Sequence, residues 1–205
     1  MILTTLYIIG ISAEAMTGAL SAGRRNMDWF GVMLVSSATA IGGGTVRDIL
    51  LGHYPLGWVK HPEYLLITCL AGILTTVIHP WVLKCKGIFL HLDALGLAVF
   101  SIIGTQIAMN MGYSTMICLV AALITGVFGG LLRDLLCRQK PLVLHEECYA
   151  TVSLFASGLY LGLNQLGVSE TMTILITVGL SYGFRMLAIR YQWCLPLFNL
   201  KPEHK

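Results

Sequence analysis

The sequence predicts an all-α membrane protein of seven transmembrane helices, arranged as a three-plus-three inverted repeat plus one further helix. Three observations predict this fold: an apolar composition, an internal duplication and an uneven distribution of basic residues. The 205 residues are 56% hydrophobic and 11% charged, with a mean hydropathy of +0.78. Because soluble domains carry about 25% charged residues, these charges are too few to cover a water-facing surface. We expect one multi-pass membrane domain, residues 1–205.

Seven apolar segments, each of about 20 residues, fit a hydrocarbon core of roughly 30 Å. The loops between them are short and hold proline, glycine and charge. Asp28 and Asp93 precede the second and fourth segments, and each begins an Asp-x-x-Gly sequence, so we expect both to be helix N-caps. The segments cover residues 3–22, 29–51, 63–83, 92–111, 115–137, 147–163 and 171–189.

An internal duplication divides the chain. Residues 10–56 align without a gap on residues 96–142, at a constant offset of 86, and eleven of the 47 positions are identical. The best match sets Thr39-Ala-Ile-Gly-Gly-Gly-Thr-Val-Arg-Asp48 against Thr125-Gly-Val-Phe-Gly-Gly-Leu-Leu-Arg-Asp134. Each repeat, about 3–83 and about 88–164, holds three spans, so the second must cross the membrane in the opposite direction. The seventh helix, about 169–190, has no counterpart and is expected to pack the bundle or an oligomer interface.

Basic residues predict the orientation, because they concentrate on the cytoplasmic side. With the N-terminus outside, nine basic residues lie in inner segments and one, Lys60, lies in an outer loop; three more fall inside spans near their ends. This bias predicts N-out, C-in. The inner nine are Arg24, Arg25, Lys84, Lys86, Arg138, Lys140, Arg190, Lys201 and Lys205, and the three within spans are Arg47, Arg133 and Arg185.

Glycines interrupt the second and fifth spans. Each glycine weakens a helix by about 1 kcal/mol relative to alanine, and a broken membrane helix is tolerated only inside protein or beside a water-filled cavity. One interpretation is paired kinks that open a polar path and present carbonyl oxygens to a cation. The alternative is a pair of helices that approach closely through small residues. The residues are Gly42, Gly43 and Gly44 in the first repeat, and Gly129 and Gly130, preceded by Phe128, in the second.

Two Arg-Asp pairs follow the glycines, Arg47-Asp48 and Arg133-Asp134. A charge at membrane depth costs at least ~2.5 kcal/mol, so it normally faces a cavity or a partner. The pairs form a charged constriction at each mouth of one pathway, or a structural clamp between the repeats, or they contain arginines that reach toward headgroups. In the first case the hydroxyls that line the path and act as weak cation ligands are those of Thr39, Thr45 and Thr125.

Glu14 lies in the middle of the first span, with no basic residue within one helical turn in the sequence. Its repeat equivalent is Phe100, so the duplication does not require a carboxylate there. An acidic residue at this depth predicts a functional site. It could attract cations, carry a proton, or be a neutral group hydrogen-bonded within the bundle. Gln106, on the fourth span, is a weaker candidate of the same kind.

Other functional classes are disfavoured. The six cysteines are scattered with no ligand spacing, so no metal site or other cofactor is expected. A net charge of +3 is too small to indicate a nucleic-acid surface. The chain has no G-x-S-x-G, no H-E-x-x-H and no P-loop, and it is not expected to be an enzyme.

The doubled Gly-Gly-x-x-Arg-Asp element, in its Asp-x-x-Gly context, resembles the bacterial branch of the TRIC (trimeric intracellular cation) channels, a family also described as glycine transporters. The resemblance implies an inner-membrane homotrimer in contact with lipid, with a K⁺-preferring pore in each subunit. It also implies that the second and fifth spans kink at the glycines and line the pore, over residues 40–48 and 126–134. The alternatives are a secondary transporter of a small amino acid such as glycine, and a membrane scaffold that transports nothing.

Overall fold

The computed structural model describes residues 2–82, 87–145 and 148–193, with backbone alone at 79–82 and 145. Over these ranges seven long α-helices overlap the seven predicted segments, and two single-turn helices, α3 and α7, lie in loops. The helices are α1 (Ile2–Gly23), α2 (Trp29–Leu51), α3 (Gly57–Lys60), α4 (Glu63–Val82), α5 (Ile88–Asn110), α6 (Thr115–Leu136), α7 (Leu142–His145), α8 (Tyr149–Gln165) and α9 (Glu170–Tyr191).

Five of these helices, α1, α2, α5, α6 and α9, are long and apolar enough to cross a membrane. The apolar part of α4 with described side chains, Glu63–Ile78, is shorter, and α8 has 17 residues. Length and composition therefore support five of the seven predicted spans. The loop at 84–86, the predicted sixth-span start at 147 and the basic residues 201 and 205 lie outside the described residues.

The two predicted N-caps have different outcomes. Asp28 caps α2 as expected: its backbone is extended, and its Oδ1 accepts a hydrogen bond of 2.7 Å from the Gly31 amide. The prediction for Asp93 is wrong, because α5 begins at Ile88 and Asp93 lies inside it with 1% of its surface exposed. Residues 88–92 are largely apolar and extend the helix upstream of this acid.

Asp28→Ala should lower the stability of the folded protein by about 1 kcal/mol, because the amide hydrogen bond at the start of α2 is lost. Thermal unfolding in detergent would measure this change. Asp28→Asn keeps an oxygen acceptor and should restore most of the loss. An alanine variant as stable as the parent would show that this cap contributes nothing.

The long helices pack in two similar groups. In the first, α1, α2 and α4 contact one another, and in the second, α5, α6 and α8 do the same. The groups meet through α2 against α6 and α1 against α5, while α9 packs on α5 and α8. The duplicated sequence thus gives a duplicated packing arrangement, with the α2–α6 contact between its halves.

Small and hydroxyl-bearing residues line the contacts between helices. Ser101 donates to Ser153 at 2.8 Å and Thr105 to Ser157 at 2.7 Å, both between α5 and α8. Such pairs are typical of membrane helices, where close approach and hydrogen bonds replace the hydrophobic effect. Large apolar side chains point outward instead, where lipid would cover them; examples are Leu66, Leu70, Leu74 and Val77 on α4 and Leu175 and Leu180 on α9.

Candidate functional site

The glycines of the repeats form the contact between α2 and α6. Both helices run continuously through them. A Cβ atom added to Gly43 would overlap the carbonyl oxygen of Thr125, and one added to Gly129 would overlap that of Thr39. These two contacts are related by the offset of 86 in both members. Each repeat therefore presents the same glycine and the same carbonyl to the other, as a two-fold relation requires.

The two helices are in close contact at these glycines, which is what the alternative interpretation from the sequence expects. The neighbouring glycines are less confined: a Cβ on Gly42 would lie 2.5 Å from the Leu132 Cδ1, a flexible side-chain end, and one on Gly44 would lie 3.6 Å from the Arg47 Nη2.

Three threonines predicted to line a path flank the crossing. Each hydroxyl donates to a carbonyl one turn earlier in its own helix, at 2.6 Å for Thr39, 2.8 Å for Thr45 and 2.6 Å for Thr125. The oxygens therefore remain available as acceptors, and Thr125 accepts from the Arg47 Nη1 at 3.4 Å. Thr39 and Thr125 are buried at the helix contact, and Thr45 is partly exposed.

Each Arg-Asp pair is a mutual salt bridge. Arg47 donates to the Asp48 Oδ1 through Nε at 3.0 Å and Nη2 at 2.7 Å, and the Arg133 Nε donates to the Asp134 Oδ1 at 2.9 Å. Consecutive residues point about 100° apart on a helix, but the long arginine side chain reaches back to its neighbour. Both carboxylates are 1% exposed, so neither forms an open cation-attracting surface.

The aspartates also hold the loops that follow their helices. The Asp48 Oδ2 accepts from the Gly57 amide at 3.3 Å, and the Asp134 Oδ2 accepts from the Leu142 amide at 2.9 Å. A third contact comes from repeat-equivalent side chains: His53 lies 3.0 Å from the Asp48 Oδ1, and Gln139 donates to the Asp134 Oδ1 at 3.2 Å. The duplicated motif therefore joins arginine, helix end and loop in the same way twice.

The first arginine cluster, Arg47 with Asp48, opens onto a cavity of about 200 Å³. Tyr7, His53 and Tyr64 line this cavity together with apolar residues of α1 and α5. The rings of Tyr7 and Tyr64 lie 4.7 Å apart, and Phe100 meets Tyr7 edge-on at 6.1 Å. This cluster thus has an aromatic wall and access for a small ligand or water.

The second arginine cluster, Arg133 with Glu14, Asp93 and Asp134, is closed. The Arg133 side chain is fully buried; its Nη1 lies 2.8 Å from the Asp93 Oδ1 and 4.0 Å from the Glu14 Oε2, and donates to the Thr17 hydroxyl at 3.1 Å. Its guanidinium also lies 4.8 Å from the Phe89 ring centroid. The carboxylate from α1 and the guanidinium from α6 link the two groups of helices.

The two clusters differ at repeat-equivalent positions. Phe100 stands beside the first where Glu14 stands beside the second, and Tyr7 corresponds to Asp93. The first cluster is therefore aromatic and open, and the second is acidic and closed. Gln106, the weaker candidate from the sequence, lies in neither cluster and donates to the Glu170 Oε1 at 2.6 Å.

Among the residues at the clusters that sequence reasoning missed are Asp93, Thr17, Phe89 and Tyr7. The sequence contained a signal for Asp93. An apolar run that begins at residue 88 places this acid inside the helix, and a charge inside a membrane span indicates a functional site. Thr17 and Phe89 carried none, because only the packing of α1 and α5 on α6 brings them to Arg133. Tyr7 could have been found through its offset of 86 from Asp93.

An apolar helical bundle with these duplicated clusters defines an integral membrane protein of the TRIC fold. A TRIC trimeric intracellular cation channel orthologue from Rhodobacter sphaeroides matches with a TM-score of 0.89 and 30% identity, over 93% of this chain and 98% of that one. A second structure, solved to explain conductance through TRIC cation channels, matches with a TM-score of 0.88 and 30% identity, over 98% of this chain and 99% of that one. Both proteins are described as cation channels.

The family assignment follows from sequence. A family model described as "Glycine transporter" matches residues 4–80 and 90–165. The UPF0126 inner membrane protein YadS of Escherichia coli K12 is 38% identical, over 98% of each chain. The UPF0126 membrane protein YvgT of Bacillus subtilis 168 is 36% identical, over 93% of this chain and 94% of that one. The chain belongs to this glycine transporter family and is an inner-membrane protein.

Proposed function

We propose that this protein is a monovalent cation channel that prefers K⁺, with a pore in each subunit of a homotrimer. The observation that carries the proposal is the likeness to solved TRIC cation channels, 30% identical over 98–99% of those chains. The buried charge on both sides of the α2–α6 crossing supports it, because charged groups at this depth are costly and mark ion pathways.

We propose that the pore enters through the cavity beside Arg47 and passes the hydroxyls of Thr45, Thr125 and Thr39. The second arginine cluster then closes its other mouth. Gly43 and Gly129 set the distance between α2 and α6 along this path and do not separate the helices. The two motif aspartates orient their arginines and hold the loops, so each arginine, with its aspartate and loop, forms the barrier at its mouth.

We further propose seven membrane spans, with the N-terminus outside, the C-terminus inside and the repeats inverted. The basic-residue bias supports this orientation, and the twice-repeated packing supports the repeat. A fluorescent protein fused to the C-terminus, which matures only in the cytoplasm, should fluoresce in cells. A dark fusion of full length in the membrane would contradict the orientation.

The channel proposal predicts discrete, ohmic K⁺ openings when the purified protein is recorded in a planar bilayer with KCl on both sides. Added glycine should leave the openings unchanged. Silence from a preparation that is folded and trimeric by size-exclusion light scattering would overturn the proposal. Reversal potentials with NaCl on one side would then measure the preference for K⁺.

A second candidate is secondary transport of glycine, which the description of the matching family model favours. The cavity beside the Arg47 guanidinium, about 200 Å³, is of a size for a small carboxylate. Transport predicts saturable uptake of labelled glycine into liposomes, and an unfolding temperature that rises with glycine concentration because a ligand stabilises the state that binds it. An unfolding temperature independent of glycine would count against it.

A further inference from the structure

The second arginine cluster holds more negative than positive charge. Three carboxylates, of Glu14, Asp93 and Asp134, share the single guanidinium of Arg133, at 4.0, 2.8 and 2.9 Å. All four side chains are at most 3% exposed. A buried charge without compensation costs several kcal/mol, so this arrangement requires an additional positive charge.

The described residues of the neighbouring helices do not supply that charge in full. Arg185 of α9 lies 4.7 Å from the Tyr149 ring centroid, which leaves three carboxylates to two guanidiniums. Arg24, 5.0 Å from the Phe89 ring, is exposed at the end of α1 and screened by solvent. The charged side chains described on α2 and α4 lie at the first arginine cluster or at helix ends: Asp28, Arg47, Asp48 and Glu63.

Unpartnered polar atoms mark the same place. The Tyr149 hydroxyl, on a residue 3% exposed, makes no hydrogen bond among the described residues, and neither do the Asp93 Oδ2 and the Arg133 Nη2. The Tyr149 hydroxyl and the Arg133 Nη2 lie 3.3 and 3.5 Å from the position that a Cβ on Gly130 would occupy. Buried polar groups are normally paired, so the cluster has unused hydrogen-bonding capacity.

The available space selects the kind of cation. The Glu14 carboxylate lies so close to the backbone of α5 that a Cβ on Gly96 would overlap it. A metal cation needs several oxygen ligands arranged around an open site. A proton needs no space, removes one negative charge, and turns a carboxylate that only accepts into one that donates a hydrogen bond.

We propose that Glu14 and Asp93 share one exchangeable proton, and that this proton holds the second arginine cluster closed. Its loss leaves a buried negative charge that must be hydrated. Water enters between α1 and α6 to hydrate this charge, and the mouth opens. The link to flux rests on the proposed channel function, whereas the proton site does not.

Infrared spectroscopy of the protein in lipid vesicles tests the site directly. The parent should show a protonated-carboxyl band that disappears as pH rises, and Glu14→Gln should lose it or reduce it. Glu63→Gln, which changes a carboxylate 57% exposed at the start of α4, should keep it. A parent without such a band, or an unchanged band in both Glu14→Gln and Asp93→Asn, would overturn the proposal. Where Asp93→Asn does not fold, Glu14→Gln decides alone.

Flux measurements test the link to gating. K⁺ flux through the parent should rise with pH by up to about tenfold per unit in its steep range, as for release of one proton. Glu14→Gln should be low and independent of pH, and Glu63→Gln should follow the parent. If Glu14→Gln removes the band and flux is unaffected by pH in every variant, the proton site stands and its role in gating is wrong. Absence of flux in every variant would overturn the channel function alone.

Discussion

Gly43→Ala should destabilise the protein by 3 kcal/mol or more, at or beyond the upper end of the roughly 1–3 kcal/mol typical of overpacking. The added methyl group would overlap the Thr125 carbonyl, and backbone in a helix cannot rotate aside as a side chain can. The two helices must separate or distort along their contact. Thermal unfolding in detergent, with size-exclusion chromatography for oligomeric state, would measure the effect.

The same glycine run supplies the controls. A Cβ on Gly44 meets the Arg47 Nη2 at 3.6 Å, an ordinary contact, so Gly44→Ala should leave stability within about 1 kcal/mol of the parent. Gly42→Ala should fall between, because the Leu132 side chain can move. Gly158→Ala in α8, where nothing lies within 4 Å, should be neutral or slightly stabilising. Equal stability of the Gly43 and Gly44 variants would contradict the close crossing.

The crossing also predicts a coupling between repeats. Gly129→Ala alone should cost as much as Gly43→Ala, because the contact with Thr39 is equivalent. In the double variant the second substitution should cost less than the first, since the helices are already separated. Additive losses in this cycle would show that the two contacts are independent.

Arg133→Met should be the other severe substitution, with a loss of about 3–5 kcal/mol or failure to accumulate in the membrane. Methionine keeps an unbranched apolar stem and the helix preference of arginine but leaves Asp93, Asp134 and Glu14 without their shared cation. The amount of monodisperse protein and its unfolding temperature measure the loss. Arg133→Lys keeps the charge without the planar fork that joins several carboxylates, and should give an intermediate result.

Arg47→Met is the matched control at the first cluster. It removes one carboxylate's partner, and Asp48 keeps its contacts with His53 and the Gly57 amide, so the loss should be smaller. Adding Asp93→Asn to Arg133→Met should recover part of the stability, because one buried negative charge is then removed. If the Arg47 and Arg133 variants are equally stable, the difference in charge between the clusters has no energetic consequence.

The sequence predicts the helices well because each long apolar run is bounded by glycine, proline or charge. It leaves open the role of the glycines, since Gly43 and Gly44 differ only in what the facing helix places beside them. Depth alone identified Glu14, but its contact with Arg133 depends on tertiary packing. Asp93 was misassigned because an acid near the start of an apolar run resembles a helix boundary, although the run continues upstream.

The hydrogen bonds from Asp48 and Asp134 to the loops after α2 and α6 determine which parts of the molecule can move relative to one another. In each repeat, one carboxylate joins the arginine, the end of the helix and the following loop. These three parts therefore form a single stiff body. In the proposed channel, a change in the width of either mouth therefore occurs at the surface where that body touches α1 and α5. The residues that control the rate of such a change are those that differ between the repeats on these two helices, such as Tyr7 and Phe100, and the duplicated motif itself stays intact.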